Sequence, residues 1–157
     1  MLIRTASEGI SFAQELELTA AQFYADVVVS QPRLQELASK NARENRRFAK
    51  QIQRVYQEVI TDALEGGYCF KIEITHYKMP AGASATSSVR AAIHLALELE
   101  RVMIDFYSEA HEQAEGLLAD IPRAFAMIIG KRKKRLEELL ILEADFKAKE
   151  GTDHGAG

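Results

Sequence analysis

The sequence predicts an all-α fold, a four-helix bundle with one long crossover connection between helices two and three. Three observations predict it. Apolar residues recur at helical spacing in four long stretches. The links between stretches one and two and between three and four are short, whereas the middle one is long. Helices one and three also carry matching segments, Glu-Leu-Glu-Leu-Thr-Ala-Ala-Gln-Phe-Tyr at 15–24 and Glu-Leu-Glu-Arg-Val-Met-Ile-Asp-Phe-Tyr at 98–107.

Helix one opens at a capping box, Thr5 to Glu8, and keeps its apolar spacing from Ile10 to about Val29. Pro32 suits the first turn of helix two. The set Leu34, Leu37, Ala38, Ala42, Phe48, Ala49, Ile52, Val55, Tyr56 and Val59 carries that helix to about residue 63, and Gly66 and Gly67 stop it.

The crossover spans 66–88. Between Tyr68 and Tyr77 the period changes to two, with Tyr68, Phe70, Ile72, Ile74 and His76 on one side, which reads as a single short strand. A lone strand cannot satisfy its own backbone, so it is expected to lie along the bundle or to pair with a second subunit. A small-residue linker, 79–88, follows and ends in good N-cap residues. Helix three then runs from about Val89 to Gly116, and Asp120 with Pro122 opens helix four, which runs to about Lys149. Residues 1–150 form one domain, and the tail Gly151 to Gly157 reads as disordered.

Composition narrows the setting. A net charge of -3 argues against a protein that coats nucleic acid or anionic lipid. One cysteine, Cys69, excludes an internal disulfide and any thiolate-rich metal site, and it reads as a small hydrophobe. With no signal segment and no apolar run of about 20 residues, the chain reads as soluble and cytoplasmic. No Ser/His/Asp grouping, phosphate loop or dinucleotide fingerprint is present.

Chemistry concentrates on the duplicated segment. At 100° per residue, Glu17 falls among Ile10, Ala13, Ala20, Ala21, Tyr24 and Val28, and Glu100 among Ile93, Ala96, Met103, Ile104 and Tyr107. Both carboxylates therefore point at a core. A buried ionised carboxylate must be paired, protonated or bound to a metal. Tyr24 and Tyr107 read as core residues with hydrogen-bonded hydroxyls rather than as redox groups.

The segments Ala-x-Glu-Leu-Glu-x5-Phe-Tyr ending at Tyr24 and Ala-Leu-Glu-Leu-Glu-x5-Phe-Tyr ending at Tyr107 resemble helices one and three of the rubrerythrin-like branch of the ferritin-like superfamily. The resemblance covers residues 8 to 146. It implies a di-iron site with Glu17 and Glu100 as metal ligands and a Glu-x-x-His pair on each of the other two helices. Those pairs are replaced. Aligned from Pro32, the slots on helix two fall on Asn45 and Phe48; a shifted register would put Glu44 and Arg47 there, off the apolar stripe. On helix four the slots fall on Arg132 and Arg135, with Arg132 central to a face made by Phe125, Ile128, Ile129, Leu136 and Leu139 and Arg135 at its margin. Lys131, Lys133 and Lys134 read as a solvated turn.

Guanidinium is a poor metal ligand, because it stays protonated and offers only donors. It is a good bidentate partner for carboxylate. The expectation is that Arg132 and Arg135 supply the positive charge in place of iron, that Glu17 and Glu100 are vestigial ligands, and that Asn45 completes the hydrogen bonds. Two functions follow. One is a non-catalytic structural, interaction or regulatory protein with no cofactor. The other is a working non-haem di-iron oxidoreductase, or a peroxide- or iron-handling protein, that recruits Glu44, His94 or His111 as ligands. The rubredoxin-like four-cysteine module of full-length rubrerythrins is absent, so electron transfer would need another protein. The partner expected is a second copy, meeting through the bundle or the 68–77 crossover, together with an unidentified protein; membrane and nucleic acid are not expected.

Overall fold

Four long helices pack as two pairs, and a long connection containing a short strand joins the pairs. The computed structural model describes residues 1–59, 68–116 and 120–155, without the side chains of 58, 59, 68 and 151–155. In chain order the elements are β1 (Leu2–Thr5), α1 (Ala6–Ser30), α2 (Gln35–Val59), β2 (Tyr68–Glu73), α3 (Val89–Gln113) and α4 (Asp120–Gly155), with 3-10 turns at Pro32–Leu34, Ile74–His76, Ala83–Ala85 and Ala114–Gly116. α1 packs chiefly on α2 and α3 on α4. Among the described residues no helix is long and apolar enough to cross a membrane. The expected run of helix two to about residue 63 and its stop at Gly66 and Gly67 lie outside the described residues. α4 continues as helical backbone to Gly155, beyond the expected end near Lys149, and of the expected disordered tail only residues 156 and 157 lie outside the described residues.

Local chemistry sets the helix ends. The Thr5 hydroxyl accepts from the Glu8 amide at 3.1 Å while the Glu8 carboxylate accepts from the Thr5 amide at 3.0 Å, which closes the capping box and satisfies donors the helix itself cannot. Pro32 opens a 3-10 turn rather than the α-helix proper, and α2 continues directly from it. Ser88 caps α3 by accepting from the Ala91 amide at 3.0 Å.

The strand pairs inside the chain. β2 lies antiparallel to β1, with Ile3 opposite Ile72 and both fully buried, so the strand finds a partner within its own chain. β1 itself was not expected. The strand is also shorter than predicted: at Ile74 the backbone turns into a 3-10 turn, helped by the Glu73 carboxylate, which accepts from the Thr75 amide. The alternation therefore breaks, leaving His76 exposed and Tyr77 buried.

The connection runs the length of α1. Its described part begins beside the first turns of that helix, where Gly9 admits the ring of Phe70; a Cβ at Gly9 would lie 2.6 Å from the ring. It finishes at the other end, where the Ser30 hydroxyl donates to the Ala83 carbonyl at 2.8 Å and the Gln31 side chain donates to the Thr86 carbonyl at 3.1 Å. A 25-residue helix is roughly 37 Å long, so the crossover spans the whole bundle. α3 starts there and returns to β2, where the Lys71 amide donates to the Gln113 side chain at 2.7 Å. α1 and α3 are consequently antiparallel.

Candidate functional site

Antiparallel helices with the same Glu-to-Tyr spacing place each tyrosine opposite the other helix's glutamate. The Tyr24 hydroxyl donates to Glu100 Oε1 at 2.8 Å, and the Tyr107 hydroxyl donates to Glu17 Oε1 at 2.7 Å. All four side chains are 0% exposed. Each carboxylate then has its Oε2 free to face the middle of the bundle.

Arg132 occupies that middle. Its fork donates through one terminal nitrogen to Glu17 Oε2 at 2.5 Å and through the other to Glu100 Oε2 at 2.7 Å, and the residue is itself 0% exposed. α4 can carry it because Arg132 stands on the helix face made by Phe125, Ile128 and Leu139, all buried. Arg135, one turn on, donates to Glu100 Oε1 at 2.9 Å, to Asn45 Oδ1 at 2.8 Å and to Glu44 Oε1 at 2.6 Å. Asn45 also accepts from Arg132 at 3.3 Å. Phe48 turns its ring to both guanidinium groups, 5.6 Å from that of Arg132 and 6.0 Å from that of Arg135.

The register on α2 is therefore the one with Asn45 and Phe48 inside, while Arg47 is exposed. Glu44 stands at the rim, about a quarter exposed, and still reaches Arg135. Arg135 lies deeper than a marginal position suggests. Lys131, Lys133 and Lys134 are exposed, His94 is exposed on α3, and His111 is half-buried toward the end of that helix. Among the described residues neither histidine contacts Glu17 or Glu100.

The two acids are unequal. Burial alone pushes Glu100 upward, but Arg132 and Arg135 together overcome it and hold its pKa below the ordinary value. Burial prevails at Glu17, which has only Arg132 and the Tyr107 hydroxyl against it, and its pKa is raised. Burial also opposes the charge on Arg132, yet Glu17 and Glu100 outweigh that cost and its proton is held more tightly than usual. Both tyrosines are pushed well up, first by burial and then by the carboxylate each one faces.

The six positions that the resemblance assigns to ligands of a metal pair hold two carboxylates, an amide, a phenyl ring and two guanidinium groups. These residues do not fit the metals. The carboxylate oxygens that would face the metals are taken by cationic N–H donors, and among the described residues no group of three or more His, Cys, Asp or Glu is placed to hold an ion. Glu17, Glu100 and Arg132 are sealed from solvent in this conformation.

Compared with known proteins, the chain matches no family model, no curated protein and no solved structure.

Two contributions were missed from the sequence. The exchange of tyrosine partners between α1 and α3 was readable from the repeated seven-residue spacing once the helices were taken as antiparallel. The reach of Glu44 was not, because its position is off the apolar stripe and only the length of Arg135 brings the two together.

Proposed function

We propose that this chain is a ferritin-like bundle of rubrerythrin type that works without a di-iron centre, as a structural, interaction or regulatory protein. The observation that carries the reading is the Arg132 fork held between Glu17 and Glu100. A dimetal site needs bridging carboxylates with their lone pairs turned to the ions. Here a fixed positive charge stands between the two glutamates, so an incoming divalent cation meets both occlusion and repulsion. The matched segments around Glu17 and Glu100 and the long crossover support the family assignment; the departures at Asn45, Phe48, Arg132 and Arg135 support the loss of redox chemistry. Fold does not fix function, so a bundle of this shape can serve without metal.

The test is metal content by mass spectrometry after purification from iron-supplemented cells, together with the near-ultraviolet and visible spectrum. The expected outcome is iron far below one per chain and no oxo-bridged absorbance. Near-stoichiometric iron would overturn the reading and favour a working di-iron protein.

A further inference from the structure

A second polar feature opens beside the core and shares Glu44 and Arg135 with it. It is a cleft of about 220 Å³ between α2 and α4, lined by Lys40, Asn41, Glu44, Lys131, Lys134, Arg135 and Glu138. Its two most buried lining residues, Asn41 and Arg135, are each 4% exposed and make its floor, whereas Lys40, Lys131 and Lys134 are exposed around its mouth. Four cations face two carboxylates, an excess of positive charge on a chain whose net charge is -3.

The donors here are under-used. Asn41 Nδ2 is buried without a hydrogen-bond partner, a state that costs free energy unless something accepts from it. Lys40 and Lys134 form no ion pair among the described residues, although Glu44 and Glu138 stand one turn further along the same helices. Glu44 is committed to Arg135. What the cleft lacks is an acceptor carrying several oxygens and negative charge.

We propose that this cleft binds a small, compact oxyanion of the phosphate type, held by Lys40 and Lys134, with Asn41 Nδ2 donating from the floor and Arg135, whose terminal nitrogens are already engaged, contributing charge alone. Size narrows the class. The volume exceeds that of a few waters, at about 30 Å³ each, and falls short of the roughly 300–1,000 Å³ of pockets that take drug-sized ligands. A free ion or a small phosphomonoester fits; a nucleotide does not. The four cationic groups select against a metal-chelating role, since they outnumber Glu44 and Glu138 and would repel a cation.

The test uses the full chain and inorganic phosphate in isothermal titration calorimetry at constant ionic strength, with chloride as the balancing ion. The expected result is one saturable site, and displacement of the Asn41 side-chain amide signal in a nitrogen-15 correlation spectrum along the same titration. Lys134→Gln is expected to weaken binding by on the order of tenfold. Lys133→Gln, a neighbouring exposed lysine outside the cleft, is expected to leave it unchanged. Asn41→Leu removes the floor donor and is expected to weaken binding too; should that variant fail to fold, the amide signal of the unaltered protein and the two lysine variants still decide. Heats no different from those of a chloride titration, an unmoved Asn41 amide signal, or equal losses from Lys133→Gln and Lys134→Gln would each overturn the proposal.

Discussion

The Tyr107 hydroxyl on α3 donates to the Glu17 carboxylate on α1 at 2.7 Å, while its counterpart Tyr24 serves Glu100 at 2.8 Å. These are buried hydrogen bonds to charged acceptors, a class worth about 1.5–3 kcal/mol each. Tyr107→Phe and Tyr24→Phe should each lower unfolding free energy by about that much in urea titrations. Losses below about 0.5 kcal/mol for both would mean the hydroxyls contribute no more than a typical exposed group.

Arg132 is the member whose loss strands the most charge. Arg132→Ala leaves two buried carboxylates facing each other and should destabilise the fold by roughly 3–5 kcal/mol. Arg132→Lys keeps the charge but not the fork, so one ammonium must choose between Glu17 and Glu100 and stability should recover only in part. A loss under about 1 kcal/mol in the alanine variant would reduce this arginine to the standing of an exposed ion pair.

Glu100 and Glu17 should not be equivalent under substitution. Glu100 holds both guanidinium groups and Glu17 holds one. Glu100→Gln is therefore expected to cost more than Glu17→Gln at pH 7, measured by chemical denaturation. Equal costs would show that the second guanidinium, Arg135, contributes nothing to the difference.

Their pH dependences should have opposite signs. The folded pKa of Glu100 lies below its ordinary value of 4.5, so the stability it contributes is present above pH 4.5 and is lost as pH falls through the lowered folded value. The folded pKa of Glu17 lies above 4.5, so its contribution is greatest below pH 4.5 and declines as pH rises through the raised folded value. Denaturation midpoints followed from pH 3 to 7 should lose part of their acid fall in Glu100→Gln and gain relative stability on the higher-pH side in Glu17→Gln.

The crossover can be tested at a glycine. In Gly9→Ala the new methyl meets the Phe70 ring at 2.6 Å, and overpacking of this kind costs about 1–3 kcal/mol. Elsewhere in an exposed helix the same change would stabilise. Adding Phe70→Leu to Gly9→Ala should relieve part of the clash, so the double variant should be more stable than the sum of the two single losses implies, as judged by thermal melts.

Helix periodicity made most of this readable in advance. Glu17, Glu100, Asn45 and Arg132 each fall inside an apolar stripe, and a charged or amide side chain so placed must be met by partners, which is why their convergence could be expected before any coordinates. β1 could not be seen that way. Leu2–Thr5 is only four residues long, and its partner lies about seventy positions away in the chain, so no local pattern announces the pairing. The Tyr77 inversion has the same origin: period-two alternation carries no sign of where a 3-10 turn will interrupt it. The Asn41 donor has no sequence signal of its own, and only the neighbouring α4 lysines give it meaning.

Arg132 on α4 touches side chains of α1, α2 and α3 at once. Sliding α4 by a single turn, about 5.4 Å, so that Ile128 took the place of Arg132 would leave the glutamates facing an apolar residue in a dry interior, and a slide the other way would put Arg135 there at the expense of its bonds to Asn45 and Glu44. Mis-registered packings are thereby made far more costly than in an all-hydrocarbon bundle, where one rung resembles the next. The charged centre acts as a keyed joint: it selects one alignment of four otherwise interchangeable rods.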